Sequence, residues 1–323
     1  MLGVILLVQA LTVAVGGAPG SPAYLPLRVA ETEGYFTREG LTVTLRAMRA
    51  ESGAAEALAQ GQADLAATSL QALLRFGHRQ GGRLPRLVFG LTAAPHVAVL
   101  VGSAQAAEIT SVADLAGARI GFTTPGGAEQ TWVAALLARA RLAPAQVEMI
   151  SLGSRGVATA LDTGEVRAAA VPEPAASALV DGGRAAILAD LRSPRAVSRA
   201  LGMPTVHAAV FARADRRIGD RELAAFGRAL LAAQRRIATA PPAELAERLP
   251  RSVVGLGDDF ARRVEASRSL YLPDGLVDPD AVRATIEIIR AHVALPAWLR
   301  LPRPEQMLHL EPLRRSLRSK RPA

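Results

Sequence analysis

Gly53 to Ser69 reads GAAEALAQGQADLAATS, and Gly156 to Pro172 reads GVATALDTGEVRAAAVP. The second stretch repeats the first at a constant offset of 103 residues, from 53 to 156. Gly53 falls on Gly156, Leu58 on Leu161 and Gly61 on Gly164. Each copy predicts a short helix, a glycine turn and a strand of small residues with an abrupt end. One copy stops at Thr68-Ser69 and the other at Pro172-Glu173. Open α/β sheets bind ligands at strand ends of this kind. The pair predicts two similar α/β units that face each other across one site.

The likeness extends upstream. Leu11 to Val15 reads as a strand, GGAPGS at Gly16 to Ser21 as a turn, Pro22 to Phe36 as a helix and Leu41 to Leu45 as an alternating strand. In the second half Ala118 to Phe122 reads as a strand and TTPGG at Thr123 to Gly127 as a turn. A helix follows with Val133, Leu136, Leu137 and Ala140 on one face, then a strand at Val147 to Leu152. The Pro-Gly turns lie 106 residues apart, at Pro19 and Pro125, so the register slips slightly between the copies. Alternating strands and helices predict a parallel sheet in each unit.

Beyond Phe211 the pattern is helical. Leu223, Phe226, Leu230 and Ile237 share one face, as do Val282, Ile286, Ile289 and Val293. These helices need a sheet to cover, and the first unit has more uncovered surface. The chain is therefore expected to cross out near Val97 to Gly102 and return near Thr205 to Phe211. This assigns residues 11–97 and 206–323 to one lobe and 98–205 to the other. The crossings form a hinge at His96, Val97, Thr205 and His207, beside a cleft able to close on a ligand.

Composition narrows the chemistry. A chain of 323 residues has ample length for two cores. It contains no Cys, which excludes disulfides, thiolate metal sites and a Cys nucleophile. The five His residues show no metal-ligand spacing, and neither a GxSxG elbow nor a phosphate-binding P-loop occurs. No catalytic residue, metal or cofactor is predicted. The formal charge of +9 is partly a tail effect, with Arg314, Arg315, Arg318, Lys320 and Arg321 near the end. No nucleic-acid motif accompanies these charges. Leu2 to Val8 is an apolar run followed by Val8-Gln9-Ala10. It is similar to the end of a secretory signal, though it lacks a basic start. Residues 1–10 are read as a signal remnant and Leu11 as the start of the mature chain; an early first strand is the alternative.

The expected binding groups lie where strands end and helices begin. Helix N-termini present unpaired N–H groups and partial positive charge to polar or anionic ligands. This selects Tyr24, Ser52, Gly53, Thr68, Ser69, Thr123, Thr124, Gly127 and Arg155, with Glu173 at the second strand end. Any one Ser or Thr can equally cap a helix. Tyr24 can stack on or hydrogen-bond to a ligand. Arg155 can pair bidentately with a sulfonate, carboxylate or nitrate, or stand on the surface. Glu173 either meets an amine or amide or orients its strand end. Trp132 is read as core and His96 as a hinge residue.

Several segments carry a family resemblance. Tyr24 to Leu27 (YLPL), Glu33 to Phe36 (EGYF) and Glu39 to Leu41 (EGL) resemble the opening of solute-binding proteins of the nitrate, taurine and alkanesulfonate import type. Ala57 to Asp64 (ALAQGQAD) looks like their L-x-x-G-x-x-D element. Val112 to Ile120 (VADLAGARI) is similar to their DLKGKKIG segment, and Val171 to Pro174 (VPEP) to their EP strand end. The matches run in order over about residues 11 to 212. The resemblance implies an α/β, two-lobed type II periplasmic-binding fold and a monomeric extracytoplasmic receptor. Such a receptor passes a small solute to the membrane permease subunits of an ABC importer. The ligand class it implies is a sulfonate, nitrate-like ion, aromatic acid or pyrimidine. One branch of the superfamily makes the thiamine pyrimidine precursor with a Cys-rich motif, which this chain lacks. A small-molecule lyase of the menaquinone-pathway type, on the same fold, is the alternative from another class.

Overall fold

Ten strands form two five-stranded sheets of the same design. They are β1 (Ala10–Val15), β2 (Thr42–Ala47), β3 (Leu65–Ser69), β4 (Arg86–Thr92), β5 (Val97–Gly102), β6 (Arg119–Phe122), β7 (Glu148–Ser151), β8 (Ala168–Pro172), β9 (Ala185–Leu191) and β10 (Ala208–Ala212). The computed structural model describes residues 10–123, 127–216, 218–255 and 259–318, without the side chains of Ser154 and Arg155. The expected signal segment, Ala10 apart, and Thr124 lie outside the described residues.

The first sheet has the order β2-β1-β3-β10-β4 and the second β7-β6-β8-β5-β9. In each, the first three strands are parallel and the fourth runs antiparallel to both its neighbours. That fourth strand is the crossing strand. β5 follows directly on the first unit yet belongs to the second sheet, and β10 returns to the first. The two crossings are bonded side by side. Thr205 Oγ1 donates to the Ala93 carbonyl at 2.7 Å, and the His207 amide donates to the Thr92 carbonyl at 2.9 Å.

The repeat is structurally real. β3 and β8 keep the 103-residue offset at both ends. The helices that precede them, Glu51–Ala59 and Gly153–Thr163, are both followed by a left-handed glycine, Gly61 at φ 75° and Gly164 at φ 73°. Only glycine takes that conformation without strain, which is why the sequence keeps it in both copies. The strands themselves are Ala-rich and every residue of β3 is buried. Burial on both faces, rather than intrinsic strand preference, holds such segments in a sheet.

Two sequence expectations need correction. The helix expected over Pro22 to Phe36 is broken into a 3₁₀ turn (Pro22–Tyr24), a helix (Leu25–Thr32) and a single turn (Tyr35–Arg38). Gly34, at φ 68°, reverses the chain between the last two. The C-terminal helices do not all serve the first unit alone. The Asp220–Thr239 helix packs on the Leu25–Thr32 helix, as expected. The Pro279–His292 helix, however, packs both on the Leu70–Phe76 helix and on the Ala128–Arg139 helix of the second unit. Its Ile288 and Ile289 share a small gap with buried Trp132, so apolar surface from both units is covered at once.

Candidate functional site

The carboxyl ends of β1, β2 and β3 face the end of β8 and the start of the Ala128–Arg139 helix across a cavity of about 570 Å³. Volumes of this order suit a small organic molecule. The first wall carries Arg49, Glu51, Ser52, Ser69, Gln71 and Arg75. The second carries Gly127, Glu129 and Glu173, with His96 and His207 at the crossings between them.

Glu51 opens the Glu51–Ala59 helix, and three contacts fix its place. The Tyr24 hydroxyl donates to Glu51 Oε1 at 2.6 Å. The Thr68 hydroxyl donates to the Glu51 carbonyl at 2.8 Å. Gly16 lets the backbone come close: a Cβ there would sit 2.9 Å from Glu51 Cα. Burial and the adjacent Glu51 charge push the Tyr24 phenol far above its usual pKa, so it remains a proton donor in a hydrogen bond. His207 Nε2 stands 3.8 Å from Glu51 Oε1. Burial lowers the imidazole pKa, against the pull of Glu51, and favours the neutral ring. Among the described residues no Arg or Lys pairs with Glu51, whose side chain is 27% exposed toward the cavity.

Glu173 is treated oppositely. Its side chain is 1% exposed, and Arg192 Nη1 lies 2.9 Å from Oε1. The Ser177 hydroxyl donates to Oε1 at 2.8 Å and the Ser177 amide to Oε2 at 3.1 Å. Arg192 is also shared with Asp190, at 3.0 Å. Hydrogen bonding to Asp190 and Glu173 outweighs desolvation and raises the guanidinium pKa further. Glu173 therefore has a bonded cation within its own wall, one that it shares with Asp190.

On the same wall Glu129 folds back at the start of its helix. It accepts from the Thr123 amide at 2.8 Å and from the Thr123 hydroxyl at 2.6 Å. Ser69 caps the Leu70–Phe76 helix by accepting from the Ala72 amide at 3.2 Å. His96 sits in the left-handed region at φ 61°, with Nε2 3.2 Å from the Ala266 carbonyl.

Of the residues singled out in the sequence, Ser52, Ser69, Gly127, Glu173, His96, Val97 and His207 line the cavity. Tyr24, Gly53, Thr68, Thr123 and Thr205 do not. Tyr24 is buried with its hydroxyl engaged behind Glu51, so its ring presents no face for stacking. Thr68 and Thr123 are also buried, and their hydroxyls are spent on the wall itself. Thr205 braces the two crossings. Thr124 and the Arg155 side chain lie outside the described residues. Sequence reading missed Arg49, Glu51, Gln71 and Arg75. Arg49 and Glu51 immediately precede the Ser52-Gly53 that it selected. Gln71 and Arg75, four apart, share one face of the helix that Ser69 caps. Among the described residues no group of three or more His, Cys, Asp or Glu is placed to hold a metal ion.

The comparisons agree with this geometry. A protein of Bordetella bronchiseptica RB50 shares the fold at a TM-score of 0.74 and 26% identity, over 96% of this chain and 97% of its own. The alkanesulfonate-binding protein SsuA from Xanthomonas axonopodis pv. citri, solved bound to MOPS, shares it at 0.67 and 21%, over 93% and 98%. The periplasmic nitrate-binding protein NrtA from Synechocystis PCC 6803 does so at 0.67 and 13%, over 97% and 89%. No curated protein matches the sequence. The two mixed sheets and their exchanged strands make this the two-lobed fold of periplasmic binding proteins. The NMT1/THI5-like family model matches residues 21–242, about two thirds of the chain, and the chain belongs to that family.

Proposed function

We propose that the protein is an extracytoplasmic receptor that captures a small organic solute between its lobes and presents it to an ABC importer. The observation that carries this reading is the interlobe cavity, walled by strand ends and helix starts of both sheets. The binding proteins that share the fold take a sulfonate or nitrate. Here Arg49 and Arg75 line the cavity and attract an anionic group, while Glu51 asks for a hydrogen-bond donor. The ligand is thus an organic anion that also carries an N–H or O–H group. Contacts made to both lobes at once favour the closed form by population shift. The lobes are residues 11–97 with 206–323, and 98–205, hinged beside His96 and Thr205.

The fold is sometimes enzymatic, as in DszB. The Tyr24–Glu51–His207 cluster brings titratable groups together beside the cleft. Its phenol is poorly suited to proton transfer, because burial and the Glu51 charge push its pKa well up. Thermal-shift screening with MOPS and other sulfonates, nitrate, aromatic carboxylates and aminopyrimidines tests the receptor reading. A ligand at 100 times its Kd should stabilise the fold by about 2.7 kcal/mol. Arg49→Ala should weaken binding of that ligand about tenfold, as expected for loss of one charge-assisted contact. Turnover of a candidate compound, with no solute stabilising the protein, would overturn it.

A further inference from the structure

A second recess, of about 470 Å³, lies at the opposite end of the first sheet. β10 links the two sites: His207, just before the strand, lines the cleft, and Ala212 at its end lines the recess. At about 3.4 Å per residue, the strand separates them by roughly 17 Å. The recess is built from the segment before β4, the turn after β10, the first turn of the Asp220–Thr239 helix and His309.

Four guanidinium groups converge there, and they fall into two kinds. Arg213 and Arg216 are anchored. Arg213 is bonded to Asp215 through Nε at 2.9 Å and Nη2 at 2.6 Å, and Arg216 to the buried carboxylate of Asp64. The third acidic group, Asp220, is shared by Arg315 at 3.0 Å and His309 at 3.5 Å. Each carboxylate around the recess therefore already has a cationic or imidazole partner. Arg83 and Arg86 are the other kind: exposed, and without a bonded partner among the described residues. Two fixed guanidinium groups shape the recess, and two uncommitted ones leave it with positive charge in excess. A guanidinium fork matches the oxygens of a phosphate, and several forks around one concavity favour a multiply charged anion over a chloride. The two acidic side chains on the lining oppose any anion, but each is already paired with a guanidinium, Asp215 with Arg213 and Asp220 with Arg315.

The geometry points to a second anion site at this pole, for a phosphate-type group carried by a lipid headgroup or by a free polyphosphate, held by Arg83, Arg86, Arg213 and Arg216. It is independent of the cleft and of what the cleft binds.

The test uses the full chain and two probes at low ionic strength: inorganic pyrophosphate by titration calorimetry, and phosphatidylglycerol vesicles by co-sedimentation, with phosphatidylcholine vesicles alongside. Arg83→Ala/Arg86→Ala is compared with a charge-matched control, Arg195→Ala/Arg290→Ala, at exposed positions outside the recess. The wild type and the control should bind one probe, weakening with added salt, and the recess variant should lose about tenfold or more in affinity. Binding of pyrophosphate identifies a free anion as the occupant, and binding confined to phosphatidylglycerol vesicles identifies a headgroup. Failure to bind either probe, or equal losses in both variants, overturns the site, because net charge alone would then explain any attraction. An unchanged circular-dichroism melting temperature in both variants excludes misfolding as the cause of a selective loss.

Discussion

The two walls of the cleft descend from the same sequence pattern, yet each handles its carboxylate differently. In the first wall Glu51 points into the cavity, accepts a hydrogen bond from the neutral donor Tyr24 with the His207 ring 3.8 Å away, and keeps its charge for whatever enters. In the second Glu173 is almost wholly buried and pairs with Arg192 and Ser177. A carboxylate buried beside its own cation is part of the scaffold. One that faces a cavity with no cation bonded to it among the described residues is part of the recognition surface. The duplicated fold supplies two walls, but Glu51 and Glu173 stand at different places in the repeat, matching Ser154 and Leu70 at the 103-residue offset, and the partner of each carboxylate decides which of them reads the ligand.

The sharpest way to break this comparison is to take the cation from the buried pair. Arg192→Met leaves Glu173 in a low-dielectric pocket with only Ser177 to satisfy it. Such unpairing costs about 3 kcal/mol at a buried site, and partial exposure of Arg192 keeps this case near that lower figure. Urea unfolding should show the loss as a lower midpoint with an unchanged slope. A loss below about 1 kcal/mol would mean that Glu173 is not held by Arg192 and that the two walls are alike after all.

Glu51 should respond in the opposite sense. Glu51→Gln keeps the shape and an acceptor for Tyr24 but removes the charge. Stability should change by less than about 1 kcal/mol, since among the described residues no Arg or Lys pairs with this carboxylate. Affinity for a ligand found by thermal screening should fall about tenfold, the loss expected when a charge-assisted hydrogen bond becomes a neutral one. Calorimetry on the pure variant separates the two effects. A large stability loss with unchanged affinity would return Glu51 to the scaffold.

Much of this architecture was legible. The spacing of Gly61 and Gly164 after equivalent helices, and the matching strand ends, revealed the duplication because left-handed turns tolerate little besides glycine. The exchange of β5 and β10 followed from asking which sheet the late helices could cover. The division of labour at the site was hidden for a specific reason. Glu173 and Arg192 meet because the ends of β8 and β9 flank the same residue, Val97, from opposite sides of β5. Nothing local in the sequence gives that register. Tyr24 illustrates the same limit. Its position at a helix start was evident, but whether the ring faces the ligand or stands behind Glu51 depends on how a 3₁₀ turn packs against the next strand end. Arg75 became a wall residue only once the Leu70–Phe76 helix was known to turn that face to the cleft.

The smallest effect concerns the two histidines between the walls. His96 and His207 are both buried, and burial lowers both pKa values; Glu173 opposes this at His96 and Glu51 at His207. A histidine whose folded pKa lies below its unfolded value of about 6.5 binds more protons when unfolded. Stability is then fully present above pH 6.5 and declines as the pH falls toward and through the folded pKa. His78 and His292, shifted downward by partial burial, add to the same slope. Urea midpoints measured at pH 7.5 and 5.5 should fall on acidification, and His207→Gln should flatten part of that fall without abolishing it. The residual slope reports the other three rings. A steeper fall in His207→Gln than in the wild type would show that this imidazole is charged beside Glu51 in the folded state, because such a ring stabilises the fold on acidification. The first wall would then hold an ion pair just as the second does, and the contrast between them would reduce to exposure alone.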